Sequence, residues 1–201
     1  MKISRWIFCF VLAGLLLWPA HVAHTQTASN LRMTGGAASG QSTVFYVTIK
    51  GAHQGVFRGG STNAVHRDQI EGLRFLLQST APHDTATGQA TGKHQYSAIL
   101  FTKEWDASSP QLFTALATNE VLQSVEFIFV RSNPIGKETV FETVRLTQAS
   151  ITSVKQYLAV PSDGDPADPR ALEDITMTFR KIEITNSEGK TTATDDWNSG
   201  I

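Results

Sequence analysis

The sequence has a single cysteine, little charge and no excess of basic residues. Cys9 is the only cysteine among 201 residues, which excludes a disulfide within the chain and a cysteine-based zinc site. Lys and Arg number 17 against 18 Asp and Glu, and this balance argues against the basic surface that nucleic-acid binding requires. Charged residues make up 17% and hydrophobic residues 41% of the chain. This composition predicts a folded globular protein rather than a disordered acidic one.

The N-terminus has the pattern of an export leader. Lys2 and Arg5 precede an apolar run over residues 6–20, and small and polar residues follow it. This order is typical of a secretory signal peptide. The run is shorter than the roughly 20 residues of a membrane-spanning helix. We predict a signal peptide over residues 1–23 and a secreted or periplasmic protein. The alternative is a true start at Met33, which predicts a protein that is cytoplasmic before it is secreted.

The remainder of the chain is dominated by short alternating segments. Residues 24–41 are small and polar, with several glycines, and are predicted to be a flexible N-terminal segment. Residues 42–201 are predicted to form a single domain. Strands are predicted over residues 43–50, 70–79, 96–103, 124–131, 139–147, 149–160 and 172–185. The alternation of the last strand changes phase at Arg180 and Lys181, which predicts a bulge or bend there. Many short strands with one helix predict a mostly β fold, an antiparallel two-sheet barrel or sandwich.

The strand over residues 70–79 has two different faces. The predicted core face carries Leu73, Phe75 and Leu77. The opposite face carries Arg74, Leu76 and Gln78. Leu76 thus lies on the face opposite the apolar stripe. In the predicted strand over residues 124–131, Ile128 and Val130 also lie on the face opposite the main apolar stripe. In a monomer such side chains are exposed or need a second sheet, whereas subunit contacts would cover them in an oligomer.

One short helix is predicted after Trp105. Ser109 is suited to cap it, Pro110 fits its first position, and Asn119 is suited to end it in a left-handed conformation. The predicted core face of this helix consists of Leu112, Phe113 and Leu116. Trp105 is predicted to be an anchor in the core or at an interface.

Residues 80–92 have no periodicity and no large apolar side chain, so they are predicted to be a long exposed loop. Loops of this length are usually functional or mobile. The segment from Gly88 to Gly92 and Lys93 is one residue too short for a phosphate-binding loop, and no helix is predicted after it. A second loop is predicted over residues 161–169, where a turn explains the acidic residues more simply than a calcium site does. Those acidic residues are Asp163, Asp165 and Asp168.

Catalytic patterns are lacking in the sequence. There is no Gly-x-Ser-x-Gly elbow, and no paired carboxylates share an element. Four histidines lie in or beside predicted loops without metal-ligand spacing, and solvated loop histidines are the expected reading. They are His53, His66, His83 and His94. The sequence therefore predicts no enzymatic activity, no metal and no cofactor.

The most specific stretch covers residues 101–116, Phe-Thr-Lys-Glu-Trp-Asp-Ala-Ser-Ser-Pro-Gln-Leu-Phe-Thr-Ala-Leu. It resembles the signature of the haemolysin-coregulated protein (Hcp) family, the tube protein of type VI secretion. Further segments resemble the family in the same order and cover most of residues 45–198. They are Phe45 to Gly51, His66 with Ile70 and Glu71, residues 92–96, residues 172–183, and Trp197 with Asn198.

The resemblance implies a compact two-sheet barrel that assembles as a hexameric ring. Rings would stack into a hollow tube that carries small effector proteins and docks a spike protein, with no nucleic-acid partner and no membrane partner beyond the signal peptide. The candidate ring-stacking loop contains Thr80, His83, Asp84, Gly88, Gly92 and Lys93, and the alternative is a loop that is only mobile. The candidate lumen face carries Arg74, Leu76 and Gln78.

The leader departs from this family, whose ordinary members have no signal peptide. Two functional hypotheses therefore remain open besides a secreted enzyme or metal-binding protein. The first is a structural tube protein of type VI secretion. The second is an exported Hcp-like binding module that works in the periplasm or outside the cell without a secretion machine.

Overall fold

The computed structural model describes residues 42–132, 137–159 and 169–197. These residues form eleven strands and one helix. In chain order the elements are β1 (Ser42–Gly51), β2 (Gly55–Val56), β3 (Ile70–Gly72), β4 (Arg74–Leu76), β5 (Ser79–Thr80), β6 (Gln95–Tyr96), β7 (Ile99–Glu104), α1 (Ser109–Ala117), β8 (Leu122–Ser132), β9 (Glu138–Ala159), β10 (Arg170–Asn186) and β11 (Thr191–Asp196).

Nine of these strands form one hydrogen-bonded antiparallel sheet. Its order is β2-β1-β8-β9-β10-β7-β4, with β3 added to β1 and β11 added to β10. Only Leu73 separates β3 from β4, yet β3 pairs with β1 while β4 pairs with β7. Since β1 and β7 lie near opposite ends of the strand order, this segment joins the two ends and closes the sheet into a barrel. The other two strands, β5 and β6, pair with each other as a second sheet.

Aromatic side chains from several strands meet inside the barrel. The ring centroids of Phe45 and Phe75 lie 6.1 Å apart, and those of Phe75 and Phe127 lie 4.8 Å apart. Phe101 packs edge-on against Phe127 at 5.5 Å. Because successive side chains of a strand point to opposite faces, one face of each strand builds this core. The predicted fold class, a mostly β antiparallel barrel with one short helix, is confirmed.

The helix forms where the sequence predicts it, but its cap differs. The N-cap is Ser108, whose side chain makes no capping hydrogen bond, so the prediction that Ser109 caps the helix was wrong. The hydroxyl of Ser109 instead donates a hydrogen bond, at 2.7 Å, to the buried carboxylate of Glu173 on β10. Pro110 stands in the first turn, and Asn119 adopts a φ of 52° just after the end of the helix, as predicted.

The core face of α1 is narrower than predicted. Leu112 is fully buried and Leu116 packs against the core, whereas Phe113 is 59% exposed. Placing Phe113 in the core was therefore wrong. Each residue of a helix is rotated by about 100° from its predecessor, so the helix cannot bury Phe113 on the same side as Leu112 and Ala115.

The predicted strand over residues 70–79 is two short strands, because the chain changes partners at Leu73. The amide of Leu73 donates to the carbonyl of Thr102 at 2.8 Å, and its side chain is 46% exposed. Ile70 and Gly72 face the core before this point, and Phe75 does so after it. The partner change shifts the alternation by one residue, and the predicted core position of Leu73 was wrong.

Val130 on β8 is fully buried, although it lies on the face opposite the core stripe, as predicted. It is not part of the core cluster, and β1 and β8 stay in register at this position. Asn63, Val65 and His66 lie beside it, so a segment of the same subunit covers Val130 and no contact with another subunit is needed to bury it.

β9 runs as one strand of 22 residues rather than the two that were predicted. Its pairing with β10 shifts register between Thr176 and Met177. Burial on β10 changes phase between Phe179 and Ile182, where a bulge or bend was predicted, although the register shift itself lies earlier. On β9, Gln148 lies between the partners of Phe179 and Lys181 and has a φ of 52°. The predicted strand over residues 96–103 is likewise split, because β6 ends at Tyr96 and β7 begins at Ile99.

Several predictions lie outside the described residues. They are the signal peptide over 1–23, the N-terminal segment over 24–41, the turn within 133–136, nearly all of the loop over 161–169 with its three aspartates, and the final residues after Trp197. All described residues fall within a single compact unit. The exact domain boundaries stay predictions.

Candidate assembly surfaces

Residues 79–96, which we call the hairpin arm, form a two-stranded projection from the barrel. Ser79 pairs with Tyr96 and Thr80 with Gln95 at its base. An isolated bridge joins His83 to Ala90 further out. The candidate ring-stacking segment is therefore an ordered ribbon and is more regular than the sequence indicates.

The tip of the hairpin arm is held by Asp84. Its carboxylate accepts hydrogen bonds from the amides of Ala86 and Thr87, both at 2.8 Å. These two bonds, that from Thr87 first, hold the pKa of Asp84 below its ordinary range. Gly88 has a φ of 71°, a conformation that glycine adopts without steric cost. Asp and Gly both favour turns, Asp by bonding nearby backbone amides and Gly by adopting a positive φ, and Asp84 and Gly88 lie where the chain reverses.

The base of the arm is fixed to the end of β11. His94 Nε2 lies 2.8 Å from Asp195 Oδ2, and this hydrogen bond lowers the pKa of Asp195. Lys93 Nζ donates to the carbonyl of Trp197 at 3.5 Å and lies 5.6 Å from the centroid of its indole ring. The ring centroids of Tyr96 and Trp197 are 5.9 Å apart. The arm thus has an anchored base and a free outer part.

The structure places the predicted loop residues together on this arm, and all six are exposed. They are Thr80, His83, Asp84, Gly88, Gly92 and Lys93. The three residues of the candidate lumen face, Arg74, Leu76 and Gln78, are also exposed, and Leu76 is 44% exposed. Their roles in stacking and in a lumen stay predictions.

A buried polar network beneath α1 was missed by sequence reasoning. The ammonium of Lys103, which is fully buried, donates to Glu173 Oε1 at 2.6 Å, to Asp106 Oδ1 at 2.8 Å and to the carbonyl of Glu104 at 2.6 Å. Glu173 is also fully buried. Its other oxygen accepts from the Gln156 amide at 2.9 Å. This network ties β7, β10 and the start of α1 together.

Two large aromatic side chains lie exposed beside this network. Trp105 is 46% exposed, and its indole N–H donates to the carbonyl of Leu172 at 2.8 Å, which fixes the ring. Phe113 on α1 borders the same shallow surface groove. Apolar surface held rigidly in this way is typical of an interaction site.

The far end of α1 is anchored by Glu120. This side chain is 4% exposed. Its Oε1 accepts from the amides of His53 at 2.6 Å and Gln54 at 2.9 Å, and its Oε2 accepts from the side chain of Gln54 at 2.7 Å. A Cβ at Gly51 would lie 2.4 Å from Oε1, so the glycine leaves room for the carboxylate. Burial acts to raise the pKa of Glu120, but these hydrogen bonds outweigh it and lower the pKa.

We expect Glu120→Gln to lower the free energy of unfolding at pH 7 by about 2 kcal/mol, since an amide cannot accept all of these bonds. A pKa that is lower in the folded state stabilises the fold above the unfolded pKa, and this stabilisation is lost as pH falls through the folded pKa. The native chain should therefore lose more stability than the variant between pH 7 and about pH 3. Urea unfolding at both pH values measures this, with Glu71→Gln, an exposed site, as the control. Equal losses in the native chain and the Glu120→Gln variant would contradict the anchoring role.

Two of the four histidines, His66 and His94, depart from the predicted solvated setting, whereas His53 and His83 are exposed as predicted. His66 is 7% exposed, stacked on Tyr46 with centroids 4.0 Å apart, and its Nδ1 lies 2.7 Å from Gln69 Oε1. The prediction of a solvated loop histidine was wrong for His66, because the tight turns around it fold its ring onto β1.

No group of three or more potential metal ligands occurs in residues 42–132, 137–159 and 169–197. Within the same ranges, no helix is long and apolar enough to cross a membrane.

A mostly β antiparallel barrel with one short helix is also the fold of a solved structure described as an Hcp protein, with a TM-score of 0.71. Residues 46–185 match the family described as "Type VI secretion system effector, Hcp". The chain belongs to this Hcp family.

Similar proteins include the major exported protein of Pseudomonas aeruginosa. It is 31% identical over 169 residues, which cover 80% of this chain and 98% of that protein. Among solved structures, a mutant form of Hcp1 from the E. coli EAEC 042 pathovar is 25% identical with a TM-score of 0.68 and covers 78% of this chain and 99% of its own. The secreted protein Hcp3 of Pseudomonas aeruginosa is 26% identical with a TM-score of 0.61, covering 77% and 99%.

Proposed function

We propose that this protein is a structural subunit that assembles as a hexameric ring, and that the rings stack into a hollow tube that carries small effector proteins and docks a spike protein. Membership of the Hcp family supports a role in type VI secretion. The name of the Pseudomonas aeruginosa relative supports export from the cell. The work of such a subunit is done by its surfaces, with no bond made or broken.

The observation that carries this proposal is the exposed apolar surface of a barrel whose interior is already filled. A closed barrel needs no second sheet to cover its core. Its exposed apolar side chains are therefore not core residues that lack a covering layer. The exposed large hydrophobic residues are Val56, Val65, Leu73, Leu76, Trp105, Phe113, Val121, Val140, Leu158 and Trp197. Contacts between subunits would cover part of this surface, and a stable contact of that kind buries at least about 1,000 Å².

The hairpin arm is the proposed contact between rings. Its outer part carries no large apolar side chain, and all of its residues are exposed. Its ribbon pairing keeps it extended. A projection of this kind reaches a neighbouring ring without any change in the barrel. Of the proposed lumen face, Arg74 and Leu76 belong to β4 on the barrel wall. Gln78 lies at the base of the arm, where its carbonyl accepts from the amide of Ser97 at 2.9 Å.

A shortened arm tests the stacking role. His83 and Ala90 are directly paired, so a two-residue Asn-Gly turn is suited to replace residues 84–89 without disturbing the base. For a chain that begins at residue 24, we expect light scattering to give six subunit masses with either arm. Sedimentation at high protein concentration should show larger stacks only with the native arm.

Lys190→Gly, at an exposed turn position outside the arm where φ is 52°, serves as the control and should stack like the native chain. Stacks of equal size with the shortened arm would refute the stacking role alone. A single subunit mass for the native chain at every concentration would refute the ring itself.

A second candidate is an exported Hcp-like binding module that acts without a secretion machine. The leader pattern of Lys2 and Arg5 before an apolar run favours it. N-terminal sequencing of the native protein separates the two, because export through a signal peptide exposes a new N-terminus near residue 24, whereas a Met33 start does not.

A further inference from the structure

A cavity of about 460 Å³ opens between the base of the hairpin arm and β10. Its walls include the aromatic rings of Tyr96, Phe179 and Trp197 together with Ala98, and Arg180 lies at its edge. Cavities of this size with apolar walls and a few polar groups are typical of small-molecule sites. The outer part of the hairpin arm and the proposed lumen face do not line this cavity.

The aromatic walls are held in place before any ligand arrives. The ring of Tyr96 packs edge-on against Phe179 at 5.1 Å and against Trp197 at 5.9 Å. The hydrogen bond between His94 and Asp195, at 2.8 Å, joins the segment that carries Tyr96 to the end of β11, which Trp197 follows. A rigid cavity loses little entropy on binding, and this favours a specific ligand.

Arg180 supplies a positive charge that is incompletely paired. Its Nη2 lies 3.7 Å from Asp196 Oδ2, beyond hydrogen-bond distance, and its side chain is 41% exposed. Its buried Nε has no hydrogen-bond acceptor among the described residues. A guanidinium offers five N–H donors in a planar fork that matches a carboxylate. This group is therefore available to a carboxylate at the mouth of the cavity.

The other charges around the cavity are largely engaged. Asp195 is paired with His94, and Lys93 lies against the carbonyl and the ring of Trp197. Polar side chains at the rim are Gln148, whose φ is 52°, and the exposed Thr178. The combination of aromatic walls with an available guanidinium selects a ligand that has an apolar body and an anionic end.

We propose that this cavity binds a small organic carboxylate with an aromatic or branched aliphatic body, its carboxylate paired with Arg180 and its body against Tyr96 and Trp197. Binding is a property of the single subunit. It can therefore succeed or fail independently of ring formation.

Phenylacetate is the probe, and the fluorescence of Trp197 is the signal. In the chain from residue 24 onward only Trp105 and Trp197 remain, so a Trp105→Phe background isolates the tryptophan of the cavity. Titration with phenylacetate should give a saturable change in emission. Phenylacetamide, which has the same body without the charge, should bind at least about tenfold more weakly.

Arg180→Gln in the same background should weaken phenylacetate binding by about tenfold or more. Arg58→Gln, at an exposed arginine paired with Asp68 elsewhere, is the matched control and should leave it unchanged. Ser97→Phe, which fills the mouth of the cavity from an exposed rim position, should block binding without removing any charge. Circular dichroism confirms that each variant is folded, and Ser97→Phe still tests the site if Arg180→Gln does not fold.

Three results would overturn the proposal. The first is the absence of a saturable signal with phenylacetate. The second is equal affinity for phenylacetamide, which would remove the anionic requirement. The third is unchanged binding in both Arg180→Gln and Ser97→Phe, which would place the probe elsewhere on the protein.

Discussion

Replacing Lys103 with methionine is expected to lower the free energy of unfolding by about 3–5 kcal/mol. Methionine has a similar length and keeps most of the packing, so the loss reports the charge. The carboxylate of Glu173 remains fully buried in the variant. Among the residues that the structure describes, only the hydroxyl of Ser109 and the amide of Gln156 then remain to donate to it.

The physical reason lies in the cost of an isolated buried charge. Two buried ions compensate each other, whereas one alone retains its full desolvation penalty. Asp106, which is also within reach of the Lys103 ammonium at 2.8 Å, loses its partner in the same substitution. The loop that leads into α1 depends on Asp106, whose carboxylate accepts from the Ser108 amide at 2.8 Å. We therefore expect the loss to spread to the start of α1.

Urea unfolding of the native chain and the variant at one protein concentration measures this effect, since self-association shifts apparent stability. Lys50→Met, at an exposed position on β1, is the matched control and should change stability by less than about 0.5 kcal/mol. A double variant, Lys103→Met with Glu173→Met, should recover part of the loss because no charge is left unpaired between these positions. A loss for Lys103→Met no larger than for Lys50→Met would contradict the role assigned to the network.

Substitution of Gly72 by alanine is the second large effect, with an expected loss of about 3 kcal/mol. Gly72 pairs with Phe45 across β3 and β1. A Cβ at Gly72 would lie 1.9 Å from Cε2 and 2.0 Å from Cζ of the Phe45 ring. That ring is 6% exposed and packs against Phe75 and Phe127, so the core must shift to admit one methyl group.

Gly92→Ala is the matched control for this substitution. Gly92 lies on the exposed hairpin arm, where a Cβ would lie 3.1 Å from Cγ of Pro82, and the open arm can adjust. We expect a change within about 0.5 kcal/mol there. Thermal or urea unfolding of both variants decides the matter. A Gly72→Ala variant as stable as Gly92→Ala would show that the barrel is not closed tightly at β3.

The strands of the barrel follow directly from sequence alternation where pairing is regular. Val125 and Phe127 on β8, and Val144 and Leu146 on β9, are buried as their two-residue spacing predicts. The spacing fails where the chain changes partner. Leu73 is exposed because β3 and β4 pair with different strands, a long-range property that no local pattern contains.

The polar interior could not be predicted from residue type. Lysine and glutamate are almost never fully buried unless they are paired, so Lys103 and Glu173 carry no local signal of burial. They are 70 residues apart in sequence, and only the pairing of β7 with β10 brings them together. The family resemblance covers the Phe-Thr-Lys segment, but it gives no contact.

Composition predicted the exposure of the hairpin arm but not its internal pairing. Small and polar residues over 80–92 predicted an exposed loop, and every one of them is exposed. Its internal pairing was not predicted, because the bridge between His83 and Ala90 comes from the turn at Asp84 rather than from strand-forming residues. The anchor of His94 on Asp195 joins positions 101 residues apart, beyond the range of any local motif.

Electron micrographs of negatively stained, purified chain from residue 24 onward are the most direct measurement of whether the protein builds rings from its own copies. We expect class averages that show annuli with six-fold symmetry and an open centre. Class averages that contain only isolated single barrels, at concentrations where light scattering also gives one subunit mass, would contradict ring formation.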